Sequence, residues 1–90
     1  MQVLFRPAFM KDFYALEPEM RLQVEKLCGE VIPTTKDIRE IVGYDIKPLR
    51  GFKDCYRVKL GKYRVGFKRE GEVIIFARVL HRKDIYRYFP

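Results

Sequence analysis

Hydrophobic and polar residues alternate most regularly between Tyr56 and Lys68. Tyr56, Val58, Leu60, Tyr63, Val65 and Phe67 fall on one side of a Gly61-Lys62 step, and Arg57, Lys59, Arg64 and Lys68 on the other, with Gly66 among them. Side chains alternate faces along a strand, and a two-residue loop joins antiparallel strands without changing that register. The pattern predicts a hairpin with one apolar face and one cationic face. Ahead of it, Leu49-Arg50-Gly51 reads as a turn, and Tyr44 to Pro48 as an irregular approach.

Toward the N-terminus the period changes. Gln2 to Arg6 reads as a short strand, and Pro7 suits the first position of a helix, where its missing N–H costs nothing. Phe9, Phe13 and Leu16 recur at helical spacing; Glu17-Pro18 breaks that helix and opens another, striped with Met20, Val24 and Leu27. Gly29 is expected to cap it. After Pro33, Thr34 or Thr35 is expected to cap a short third helix carrying Ile38, Ile41 and Val42, ended by Gly43.

Beyond Glu70-Gly71, Glu72 to Leu80 reads as a long strand, with Val73, Ile75, Ala77 and Val79 on one face and Ile74, Phe76 and Leu80 on the other. A strand apolar on both faces is internal to its sheet and covered above and below. It is expected between the Tyr63–Arg69 strand and the N-terminal strand, with the helical hairpin over one face and Ile85, Tyr88 and Phe89 over the other. The reading is a small single α+β domain spanning residues 1–90. It has an N-terminal strand, a helical hairpin, a short third helix, and a three-stranded antiparallel meander completing a curved sheet.

Composition sharpens this picture at one point. The net charge of +7 is one-sided: residues 1–46 carry six basic and eight acidic side chains, and residues 47–90 thirteen and four. A field concentrated on one half attracts polyanions, of which nucleic acid is the commonest in a cytoplasm. No apolar run approaches the ~20 residues needed to cross a bilayer, and the N-terminus lacks the pattern of a signal peptide. Two distant cysteines, Cys28 and Cys55, and a single His argue against a disulfide framework or a zinc site, and for a reducing compartment.

The chemistry open to the basic half is narrow. Its only acids are Asp54, Glu70, Glu72 and Asp84, which offer no metal-binding cluster; glycines are isolated, with no phosphate-binding loop; and the chain contains no Ser. Cys55 beside Arg57 reads as a packing residue rather than a nucleophile. Cleavage of RNA by its own 2′-OH needs neither a metal nor a protein nucleophile. It needs fixed cations where phosphoryl charge builds, a base for the 2′-OH proton, and an acid for the leaving 5′-oxygen. Lys59, His81 and Tyr86 are the proton-transfer candidates, and Arg64 and Arg82 are candidate cations of the same catalytic set. Arg50, Lys53, Arg57, Lys62 and Lys68 are the RNA-binding candidates. By simple alternation His81 continues the Val79 face and joins the cationic plate.

Leu49-Arg50-Gly51, Asp54-Cys55-Tyr56-Arg57-Val58-Lys59-Leu60, Tyr63-Arg64-Val65 and His81-Arg82-Lys83-Asp84-Ile85-Tyr86 together resemble the RelE/ParE toxin superfamily, most closely its RelE branch of messenger RNA endonucleases. The resemblance covers residues 46–88 well and the N-terminal half only through its order of elements. It implies a cytoplasmic type II toxin, without a cofactor, that cleaves messenger RNA in the ribosomal A site and is neutralised by a cognate antitoxin wrapped across its surface. It further implies that Arg50, Arg57, Lys59, Arg64, Arg82 and Tyr86 line the RNA site. Arg57 and Arg64 would stabilise phosphate charge, Lys59 or Tyr86 would accept the proton, and Arg82 or His81 would lie near the leaving oxygen. Well-known members of the family carry Lys where Arg57 stands, and not all carry His at the place of His81. The alternatives are a ParE-like inhibitor of DNA gyrase on the same fold, and a non-catalytic RNA-binding module.

Overall fold

The computed structural model describes residues 1–90 as one five-stranded sheet with helices on one face and a short C-terminal helix on the other. The elements are β1 (Gln2–Phe5), α1 (Pro7–Tyr14), α2 (Pro18–Lys26), β2 (Asp45–Pro48), β3 (Cys55–Leu60), β4 (Tyr63–Glu70), β5 (Val73–His81) and α3 (Ile85–Tyr88). The strand order is β1-β5-β4-β3-β2. β1 runs parallel to β5, and the other neighbours are antiparallel. β5 is internal, as its two apolar faces require.

Pro7 and Pro18 each stand in the first turn of a helix. α1, α2 and the turn that continues α2 set Phe9, Phe13, Val24 and Leu27 against Val58, Val65, Phe67, Ile74, Phe76 and Val79 of the sheet, forming the main core. Its aromatic centre is Phe9, Phe76 and Phe67, with Phe76 5.6 Å from Phe9 and 5.9 Å from Phe67, and the half-exposed Phe5 stacks at its edge, 5.3 Å from Phe76. The predicted hairpin forms as drawn: Leu60 pairs with Tyr63 around Gly61-Lys62, Lys59 with Arg64, Val58 with Val65 and Tyr56 with Phe67.

Four local expectations are corrected. Gly29 does not cap α2, because the helix continues through it as a π-turn, Leu27–Val31. The third helix shrinks to a 3-10 turn, Ile38–Glu40, capped by Asp37, whose carboxylate accepts the Arg39 amide. Thr34 and Thr35 instead donate to the carbonyls of Glu30 and Val31, closing the end of the π-turn, and Val42 is exposed. Asp45–Pro48 is a strand, not an irregular approach, so the meander has four strands rather than three. Its lone Pro and polar residues suit an edge.

The fourth correction moves side chains across the sheet. β4 and β5 slip register between Gly66 and Phe67: Gly66 pairs with Arg78, Phe67 with Phe76, and Ala77 has no partner. One extra residue breaks alternation. Ile74, Phe76 and Val79 therefore share the main core, while Ala77 and Leu80 turn to the opposite face. There they meet Ile85, Phe89, Cys55 and Leu49 in a second, smaller cluster. Tyr88, expected to help cover this face, is largely exposed.

Candidate functional site

The second face of the sheet, where α3 lies, carries the cationic residues. Lys59 and Arg64 are a directly paired cross-strand couple beside the β3–β4 tip. Lys59 is exposed and enters no ion pair. Arg64 is ordered by the tip itself, with Nη1 donating to the carbonyls of Gly61 at 2.8 Å and Tyr63 at 2.9 Å. A guanidinium anchored through one nitrogen keeps its remaining N–H groups available in a fixed plane. Lys62 stands in the tip, and its carbonyl accepts the Arg82 amide at 2.7 Å, which pins the exposed Arg82 to the same end.

Arg57 lies on this face but is partly withdrawn from solvent. Its Nη1 reaches Asp45 Oδ1 at 3.1 Å and donates to the Asp45 carbonyl at 3.0 Å. The hydrogen bond from Arg57 holds the Asp45 carboxyl below its usual range. The edge strand β2, illegible in the sequence pattern, thus supplies an anionic partner to one member of the plate.

From His81 the chain turns back across the face: α3 begins at Ile85, and Phe89 and Pro90 reach the Leu49–Phe52 turn. Leu49, Arg50, Phe52, Tyr86, Phe89 and Pro90 line a recess of about 330 Å³. Arg50 and Tyr86, thirty-six positions apart, are brought together there, and the Tyr86 side chain is exposed.

Three candidates sit elsewhere. His81 pairs with Tyr63, a residue of the main-core face, and meets its ring edge-on at 5.7 Å. The bulge at Ala77 has carried it to the face opposite Lys59 and Arg64, so the alternation that joined it to the plate does not hold. Its Nδ1 accepts the Lys83 amide at 3.1 Å, shaping the turn that leads to α3. Lys68 lies at the other end of the hairpin, about 13 Å along β4 from Arg64 by strand rise, and Lys53 stands in the turn that precedes β3 at that end. Lys68 there faces Glu70 at 3.5 Å.

Neither cysteine fits a nucleophile. Cys55 is buried in the second cluster, and burial pushes the Cys28 thiol far up. No group of three His, Cys, Asp or Glu side chains is placed to hold a metal ion, and no helix is long and apolar enough to cross a membrane. The sequence reading missed the Asp12–Arg78 ion pair, at 2.7 Å, which ties α1 to β5. Asp12 sits on α1 between the buried Phe9 and Phe13, a polar residue beside a core stripe, and that was its only signal.

The small mixed sheet, with helices over one face and a cationic second face rimmed by Tyr86, can be set beside known proteins. The family model described as ParE toxin of type II toxin-antitoxin system, parDE, matches residues 3–86, extending the resemblance through the N-terminal half. Toxin RelE3 of Methanocaldococcus jannaschii is 40% identical over 90 residues, all of both chains. The toxin in the crystal structure of a RelB-RelE antitoxin-toxin complex from Methanococcus jannaschii is 38% identical, with a TM-score of 0.81 over 97% of this chain and 99% of that one. The intact E. coli RelBE toxin-antitoxin complex matches at 26% identity and a TM-score of 0.66, covering 87% of this chain and 92% of that one. The chain belongs to the RelE/ParE superfamily and, within it, is a type II toxin of the RelE type.

Proposed function

We propose that the protein is an endoribonuclease that cleaves messenger RNA, in the A site of the ribosome, and is held inactive by a cognate antitoxin. The observation that carries the reading is the cross-strand pair of exposed Lys59 and half-buried Arg64, on the face that α3 crosses with Tyr86. Cations gathered on one side of a phosphodiester stabilise the charge of its dianionic transition state more than the monoanionic ground state. In this scheme the ribose 2′-oxygen bonds to phosphorus as the bond to the 5′-oxygen breaks, leaving a 2′,3′-cyclic phosphate and a 5′-hydroxyl. Tyr86, or Lys59 in its neutral amine form, accepts the 2′-OH proton, and Arg64 and Arg57 balance the phosphoryl oxygens. Arg82, pinned beside Lys62, steadies the charge on the leaving 5′-oxygen, which takes its proton from water; His81 faces the other side of the sheet. Arg50, Lys53, Lys62 and Lys68 extend the RNA-binding surface. The cytoplasm is the compartment where such a substrate is met.

An antitoxin partner is supported by the solved relatives in which a RelE chain is bound by RelB. Primer extension on messenger RNA after induction of the lone chain tests the reading. New 5′ ends should appear within translated frames and vanish with Arg64→Ala. If no ends appear and translation continues, the endonuclease reading is lost. The match to the ParE toxin family model supports one alternative, a ParE-like gyrase inhibitor. That alternative predicts gyrase-linked DNA breaks in the same cells, insensitive to Arg64→Ala.

A further inference from the structure

β1 pairs with β5 only from Val73 to Phe76, so the edge of β5 beyond that point has no strand beside it. Asp12 of α1 takes the place of a strand there. Its Oδ2 accepts the Val79 amide at 3.1 Å, and its two oxygens accept Arg78 Nε at 2.7 Å and Nη2 at 3.0 Å. A bidentate carboxylate–guanidinium contact of this kind is both strong and directional. Arg78 itself starts from the other face, because the bulge pairs it with Gly66. Its guanidinium therefore reaches around the bare edge to α1, and the Tyr88 ring of α3 covers it, 5.2 Å from centre to Cζ. One side chain thus touches both layers that sandwich the sheet.

α3 depends on such contacts. It has four residues, and a single helical turn does not persist alone in water. Ile85 and Phe89 seat its inner side, and Tyr88 on Arg78 is its third attachment. The Tyr86 hydroxyl makes no hydrogen bond to the protein, so the ring's place beside the Leu49–Phe52 turn depends on where α3 lies.

We propose that Asp12 and Arg78 are positioning residues which, through the ring of Tyr88, fix α3 and hence hold the Tyr86 hydroxyl against the RNA. The inference rests on the RNA-cleavage reading of the same face. It assigns a role in the reaction to a helix on the far side of the sheet.

The test uses the full chain and messenger RNA on programmed ribosomes, following cleavage rate and half-saturating concentration. Arg78→Met and Tyr88→Ala are each expected to lower the maximal rate about tenfold, the scale of a lost cation–π contact, with half-saturation unchanged. Tyr88→Phe keeps the ring and should keep the rate. In a Tyr86→Phe background, Arg78→Met should slow cleavage no further, because residues acting as one unit are not additive. Equal losses in both backgrounds, or equal damage from Tyr88→Phe and Tyr88→Ala, would overturn the proposal. If the parent chain itself cuts no RNA, the functional reading has failed instead, and hydrogen exchange at the Arg87 and Phe89 amides then decides the structural claim. Faster exchange there in Arg78→Met, with β3 and β4 amides unchanged, supports the clasp, and unchanged exchange refutes it.

Discussion

Replacing Gly66 with Ala should loosen the C-terminal strap while leaving the main core intact. A Cβ at position 66 would stand 2.5 Å from Phe89 Cδ2 and 2.8 Å from its Cε2 and Cγ. Carbon atoms in ordinary contact sit at about 3.5–4.0 Å, so the ring must retreat by about 1 Å or leave its seat. Strand propensity works the other way, since Ala in place of Gly gains about 0.5–1 kcal/mol. Overpacking costs about 1–3 kcal/mol, and full expulsion of a Phe side chain costs about 1.5–3 kcal/mol. The net expectation is a loss of about 1–2 kcal/mol, limited because the strap can lift without opening the cluster under α1 and α2. Urea unfolding measures the loss, and hydrogen exchange at the Phe89 amide, which donates to the Ile85 carbonyl at 2.8 Å, localises it. Phe89→Ala removes the obstacle, so the double variant should be no less stable than Phe89→Ala alone. Additive losses, or a Gly66→Ala chain as stable as the parent, would refute the steric argument.

Other consequences follow from the same geometry. Lys59→Ala and Arg64→Ala should each reduce messenger RNA cleavage by about 10²-fold or more, the scale for losing a transition-state charge partner. Unfolding midpoints should stay near the parent's, because Lys59 is exposed and Arg64 bonds only to the tip carbonyls. Hydrogen bonds from Arg39 hold the Asp37 carboxyl down at about 2, against 3.8 ordinarily. A depressed carboxyl contributes stability above its unfolded value and loses it as pH falls, so the Asp37 cap should fail between about pH 4 and 2. Carbon-detected NMR titration should give that midpoint, and Asp37→Asn should remove the dependence. Cys28 and Cys55 should resist alkylation at pH 8 until denaturant is added, since both are buried and burial drives the Cys28 thiol up. Rapid labelling of the native chain would contradict the packing.

Sequence alone determined the hairpin, its two-residue loop and its sorting into apolar and cationic faces, because period-two alternation and a Gly-containing step are local rules. It likewise placed both helix starts at Pro7 and Pro18 and made β5 internal. Proline geometry and two-sided apolarity leave little else for those segments to do. The set of Arg50, Arg57, Lys59, Arg64, Arg82 and Tyr86 was readable as a family pattern. Only tertiary structure decided which of them meet. Ala77 is an ordinary strand residue by propensity, and nothing near it in the chain marks a bulge. The slip arises from how β5 fits between β1 and β4, and it sends His81 to one face and Leu80 to the other. β2 is a strand only because β3 offers it an edge. Its Asp45 then claims Arg57, and the recess joining Arg50 to Tyr86 exists only because Gly66 leaves room for Phe89. Local pattern set which residues carry the charge, and long-range packing set where the charge points.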